Sequence, residues 1–186
     1  ETAEEAMHAA MTGHVVLSTL HTNSSAGAPP RLVDIGIESY LIASTVNAVM
    51  GQRLVRVICP DCRKEDKPDP AIVHSLEQQF NLEHLIGVLV REKIVPAKTK
   101  KFSDLPFFRG QGCDKCSNTG YKGRIGVHEI LEVTPEIADM IVRHATTQEI
   151  QDTAEKTGMV LMWQDGFIKA VQGTTTIEEI LRVTKE

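Results

Sequence analysis

Gly13-His14-Val15-Val16-Leu17-Ser18-Thr19-Leu20-His21-Thr22-Asn23 is the stretch on which the fold turns. Its centre, Val15 to Leu20, is a short apolar run bounded by Gly13 on one side and His-Thr-Asn on the other, and it reads as a buried strand. Just upstream, Glu1 to Met11 (ETAEEAMHAAM) is rich in strong helix formers, with Thr12-Gly13 to close it. A helix running into a buried strand makes the class α/β. In parallel α/β sheets ligands sit beyond the carboxyl ends of the strands, so His21, Thr22 and Asn23 are placed to feel a phosphate. The same three residues also suit a strand-end turn whose hydrogen bonds are satisfied internally, and spacing alone leaves both readings open.

Working outward, residues 27–36 and 38–50 read as two helices separated by Gly36. The second is apolar on most sides (Tyr40, Leu41, Ile42, Val46, Val49, Met50), which predicts burial. Gln52 to Ile58 is a further strand candidate, β-branched at 55, 57 and 58. A weaker helical pattern covers 71–93, between two charged, Pro-containing linkers at Lys64–Pro70 and Pro96–Pro106. YKGRIGVHEILEVT (121–134) reads as a short β-element, and 135–186 as helical. Thr134-Pro135 is a good helix start, and Thr146-x-x-Glu149 and Thr175-x-x-Glu178 fit capping boxes. Val160, Trp163, Phe167 and Val171 fall on one helical face.

With 186 residues, 41% hydrophobic and 24% charged, the chain suits one globular domain or two small ones. No apolar run approaches the roughly 18 residues of a membrane span, and no basic-then-apolar signal opens the chain. It starts at Glu1-Thr2 without Met, which predicts an excised piece of something longer with essential residues upstream. The net charge of −5 is uneven: −4 over 1–52, +5 over 53–124 and −6 over 125–186. A basic middle suits nucleic acid or anionic lipid. It equally suits compensation of a metal–thiolate centre in the same segment, and dispersed charges with only 4% aromatics favour the latter.

All four cysteines fall in two C-x-x-C pairs, Cys59-Pro60-Asp61-Cys62 and Cys113-Asp114-Lys115-Cys116. Each spacing lets two thiolates of one tight turn face a common centre, and two such knuckles complete a tetrahedron around Zn²⁺. Pro60 stiffens the first, while Gly110, Gly112 and Gly120 surround the second. Two disulfides would need an oxidising compartment, and a thioredoxin-like redox pair would need no second pair. Four loose reduced thiols are the remaining alternative. A closed Cys₄ site has no open coordination position, so its expected contribution is folding stability. The 50 residues between Cys62 and Cys113 predict an inserted helical subdomain.

GHVVLSTLHTN resembles the histidine box of secretion ATPases, and ETAEEAMHAAMTGH resembles the segment that follows their Walker B motif. Arg31-Leu32-Val33-Asp34-Ile35-Gly36 and Gln52-Arg53-Leu54-Val55-Arg56 resemble the next two blocks of that family. Cys59-Pro60-x-Cys62 with Cys113-x-x-Cys116-x-x-Thr119-Gly120-Tyr121-Lys122-Gly123-Arg124-Ile125-Gly126 resembles the tetracysteine element of its secretion and pilus-assembly branch. The resemblance implies the C-terminal part of a hexameric RecA-like ATPase that powers type II secretion or type IV pilus assembly. It implies 1–58 as part of the RecA-like core, 59–124 as the tetracysteine subdomain and 125–186 as a C-terminal helical subdomain. The implied catalytic candidates are His21, which would sense the γ-phosphate, and His14. Thr22, Asn23, Arg31 and Arg53 are the implied nucleotide-binding candidates, the two arginines fitting a structural or interface role better than a nucleotide contact. Cys59, Cys62, Cys113 and Cys116 would hold structural Zn²⁺, with ATP and Mg²⁺ used by the full-length protein.

By the same resemblance the partners are further copies in a homo-hexamer and an inner-membrane platform protein, with no nucleic acid. The location is cytoplasmic, at the inner face of the membrane. Two departures stand out: a long inter-cysteine insert and the small, Pro-rich Ser24–Pro30 stretch. No G-x-x-x-x-G-K-[ST] loop occurs, so Walker A and Walker B are expected upstream and the piece alone is predicted inactive. The alternative from another class is a non-catalytic zinc-ribbon adaptor for nucleic acid or protein, which has no use for GHVVLSTLHTN.

Overall fold

The computed structural model describes residues 2–184 and divides into two compact units. Unit 1 joins Glu1–Gly51 to Glu129–Leu161; unit 2 joins Gln52–His128 to Met162–Glu186. Each unit is therefore assembled from two separated stretches of chain.

In unit 1, α1 (Thr2–Met11), α2 (Ala28–Asp34) and α3 (Ser39–Thr45) gather with α6 (Pro135–Val142) and α7 (Thr147–Lys156). Leu41, Ile42, Leu131, Ile137, Ile141 and Ile150 form its core. The helix ends follow the expected caps. The Thr134 hydroxyl accepts from Ile137 N, and Thr146 and Glu149 complete a reciprocal capping box.

Among the described residues the β-structure consists of two strand pairs. β1 (Ala48–Ile58) pairs with β4 (Tyr121–Glu132). At one end Val133 N donates to Asn47 O, and at the other Cys59 N donates to Gly120 O, so the two strands run antiparallel. β2 (Arg63–Asp66) pairs antiparallel with β3 (Phe107–Gly110), Arg63 opposite Gly110 and Asp66 opposite Phe107. Between them, α4 (Pro70–Gln79) starts on an Asp69 cap and α5 (Leu82–Arg91) on an Asn81 cap. With α8 (Met162–Val171) and α9 (Ile177–Thr184) they build the core of unit 2, where Phe80, Phe102, Trp163 and Phe167 stack at centroid distances of 4.7–6.2 Å.

Several expectations are corrected. Val15–Leu20 forms no strand; residues 14–22 lack regular structure, with Val15 and Leu17 more than nine-tenths exposed. A strand exists through its ladder, and neither strand pair extends to this segment, so apolarity alone does not make it one. The helix expected over 38–50 stops at Thr45, and β1 begins at Ala48, four residues before Gln52. Pairing of Asn47 with Val133 competes there with helix propensity and wins. Tyr40 and Met50, expected to be buried, are 57% and 61% exposed. The Lys64–Pro70 linker begins as β2, and Pro96–Pro106 carries a 3-10 turn that buries Phe102 and Leu105. The last cap slips by one residue: the Thr176 hydroxyl accepts from Glu179 N, while Thr175 donates to Arg56 O.

Candidate metal centre

β1 ends at Ile58 and hands the chain to a tight turn, closed by Cys62 N donating to Cys59 O at 3.3 Å. β3 ends at Gly110, and Gln111 N donates back to Cys62 O at 3.0 Å, so the second cysteine pair starts beside the first. A 3-10 turn over Asp114–Cys116 forms the second knuckle, and the chain leaves it through left-handed Ser117 and Asn118. The crossing has no spare room. A Cβ on Gly110 would lie 2.0 Å from Gly120 O, and one on Gly120, itself at φ +76°, would lie 2.5 Å from Gly110 O.

The four sulfurs lie within 4.8 Å of one another. Cys59–Cys113 and Cys62–Cys116 are 3.9 Å apart and Cys113–Cys116 is 3.7 Å. Four thiolates bonded to zinc at about 2.3 Å sit at tetrahedral edges of about 3.8 Å, so these separations fit an ion held by all four. A disulfide needs about 2.05 Å, and all four cysteines are free. The cluster can therefore hold a metal ion.

Backbone dipoles prepare the centre for anionic sulfur. Burial works against the Cys116 thiolate, but the N–H groups of Cys113 and Gly120, each 3.3 Å from its sulfur, bring its pKa down to about 6. Burial pushes Cys62 up to about 11 and raises Cys113, the uncompensated condition of crowded thiols. Lys115 bonds Asp61, so each knuckle supplies one half of an ion pair spanning the two turns. Both occupy the third position of their C-x-x-C, opposite in sign, a signal present in the sequence that cysteine spacing alone does not use. The glycine crossing is signalled only by Gly110 and Gly120 themselves; their mutual contact depends on how two distant turns meet.

The remaining candidates lie elsewhere. In unit 1, His14 and His21 are exposed on the loop that follows α1, the His14 ring 2.9 Å from the Thr12 hydroxyl. Thr22 is half-buried and donates to Ser24 O at 3.0 Å, while Asn23 is exposed. Arg31 is exposed on α2, and Arg53 is exposed on β1 in unit 2. Chain continuity keeps His14 through Asn23 together, and of these named candidates only Thr22 is even half-buried. One feature beside this loop was not anticipated: Glu129, buried on β4, accepts from Ser25 N at 2.6 Å.

The family model described as Type II/IV secretion system protein matches residues 1–182. The type IV pilus assembly ATPase PilB of Thermus thermophilus is 40% identical over 186 residues, all of this chain and 19% of the relative. The type II secretion system ATPase E of Vibrio cholerae is 39% identical across the whole chain, here 33% of the relative. The type II secretion system protein E of Pseudomonas aeruginosa is likewise 39% identical across the whole chain and 33% of its own length. The chain thus spans between about a fifth and a third of these relatives. Matched along nearly all its length, with its cysteine knuckles inside the matched region, the chain belongs to the Type II/IV secretion system protein family.

Proposed function

We propose that this chain is the C-terminal part of a hexameric ATPase that powers type II protein secretion or type IV pilus assembly. Similarity to ATPases of both machines along the whole chain carries the reading. The four cysteines hold Zn²⁺, which when bound supplies a fixed tetrahedral staple and no reactive position. Around it, the Cys113 and Gly120 amides and the Asp61–Lys115 pair orient and charge-balance the sulfurs. His21, assisted by His14, Thr22 and Asn23, reports the state of the γ-phosphate, and Arg31 and Arg53 contribute at the nucleotide or at contacts between copies. The phosphate cradle and the Mg²⁺ ligands come from other parts of the longer protein, because no P-loop motif occurs among these residues. The assembly works against an inner-membrane platform protein from the cytoplasmic side. Among the described residues no helix is long and apolar enough to cross a membrane.

His21→Ala in the longer protein tests the reading. Turnover should fall by roughly tenfold or more, the scale of losing a positioned polar group near developing charge. The melting temperature of the 186-residue chain should not move, because His21 is exposed. A longer protein that binds zinc yet shows no ATP turnover would sink the motor reading, and robust turnover by the 186 residues alone would overturn the placing of the phosphate cradle outside them.

A further inference from the structure

We propose that the four-cysteine centre acts as a conformational clasp on α9, so that metal occupancy sets whether the C-terminal helix is ordered. The inference rests on the reading that the cysteines hold a metal. Its observation is a convergence: each of the four strands framing the knuckles sends a residue to the segment 173–179. Arg56 precedes Cys59 by three residues, Arg63 follows Cys62 directly, Arg109 precedes Cys113 by four and Tyr121 follows Cys116 by five.

The contacts are specific. From β1, Arg56 donates through its backbone N and its guanidinium to the Glu179 carboxylate at 2.8 and 2.7 Å. Its carbonyl accepts from the Thr175 hydroxyl at 2.8 Å, and Ile58 N donates to Thr174 O at 2.9 Å. From β2, Arg63 donates to Gly173 O at 3.2 Å; from β3, Arg109 donates to Glu178 at 2.9 Å. From β4, the Tyr121 hydroxyl bonds that of Thr176 at 3.0 Å, while the Arg56 guanidinium stacks 4.1 Å over its ring.

Glu179 makes this arrangement a switch. Its side chain is 1% exposed, and its charge is answered by Arg56 from β1 and by Arg182 one turn further along α9. If the end of β1 loosens, a buried carboxylate at the start of α9 loses one of its two cationic partners, the one that ties it to β1. An eight-residue helix has no independent stability with which to resist. β2 and β3 are only four residues each and meet at the knuckles, so their register depends on what joins the sulfurs. Metal order is thus transmitted through Arg56, Arg63, Arg109 and Tyr121 to the Gly173–Glu179 turn, and from it to α9.

Hydrogen exchange on the full 186-residue chain, metal-loaded and chelator-stripped, tests the clasp, with bound metal quantified in each sample. Stripping should raise exchange at least tenfold over 177–184 together with 55–66 and 107–122, while α6 and α7 in unit 1 keep their protection. Glu179→Gln should raise exchange over 177–184 with metal content unchanged; Thr175→Val, a milder lesion, should do so more weakly. Protection of α9 that survives stripping overturns the clasp alone, as does Glu179→Gln without effect on α9. Wild-type chain that binds no zinc overturns the metal reading and the clasp with it.

Discussion

Cys59 and Leu17 stand at opposite extremes of this molecule, the first fully buried and the second 93% exposed. Each belongs to a short stretch with a strong sequence pattern. The cysteine stretches are complete within the chain: turn hydrogen bonds form each knuckle, two strand pairs bring the knuckles together, and the sulfurs answer one another. The loop from His14 to Thr22 has the composition of a strand but pairs with no strand among the described residues, and Val15 and Leu17 stay in water. A site assembled from local turns is specified by residues close in sequence, whereas a strand is specified by whatever lies beside it.

The sharpest way to break the contrast is to remove a sulfur. Cys113→Ser should abolish stoichiometric zinc and strip unit 2 of a stabilisation on the order of 10 kcal/mol, the scale of structural zinc sites. Metal analysis and thermal unfolding check it; a variant that keeps one equivalent and its melting temperature would make the centre as incidental as the loop. Next is Glu179. The arginines beside it outweigh burial and hold its carboxyl at about 2, below the usual 4.5. Because the folded value is depressed, its contribution is full above about pH 4.5 and drains away as pH falls towards 2. Glu179→Ala should cost about 3 kcal/mol at neutral pH, and Glu179→Gln should flatten that acid limb in a pH series of denaturant melts. An unaltered limb would remove Glu179 from the account of unit 2.

Gly110→Ala probes the crossing itself. A methyl 2.0 Å from a main-chain oxygen forces the backbone apart, with an expected loss of about 2 kcal/mol and weaker metal retention against a chelator. An unaffected variant would show the knuckles to be loosely placed. The smallest effect belongs to the loop. Leu17→Ser should change the stability of this chain by less than about 0.5 kcal/mol in a denaturant melt, because the side chain has no packing to lose. Repeated in the longer protein, the same substitution should become destabilising if residues 15–20 gain a neighbouring strand there. Equal indifference in both settings would count against the strand reading.

What could be read in advance follows the same division. Thr134, Thr146 and the C-x-x-C pairs act on atoms within a few residues, and each was legible. The span of β1 was only half legible, because Ala48 to Gly51 look helical until Asn47 is known to face Val133. The shift of the final cap from Thr175 to Thr176 was hidden for a similar reason, since Thr175 is occupied by the carbonyl of Arg56 119 residues away. Val15–Leu20 is the reverse case: the pattern is present, and the neighbour that would give it meaning is not among the described residues. At the candidate metal centre the two cysteine pairs stand out in the sequence, but Glu179, which bonds Arg56 beside the first of them, gives no sign in sequence beyond an ordinary acidic first turn.

The β2–β3 register has a consequence for synthesis. Asp66 and Phe107 lie side by side, so everything between them is an excursion that leaves and returns at one place. During translation Cys59 and Cys62 are made while their partners are still 50 residues from being added. At about 5–20 residues per second that interval is roughly 3–10 seconds. Helices as short as α4 and α5 form far faster than this once their residues are available. The first knuckle therefore waits as a bare dithiol, open to wrong partners, and the length of the insert sets how long it waits.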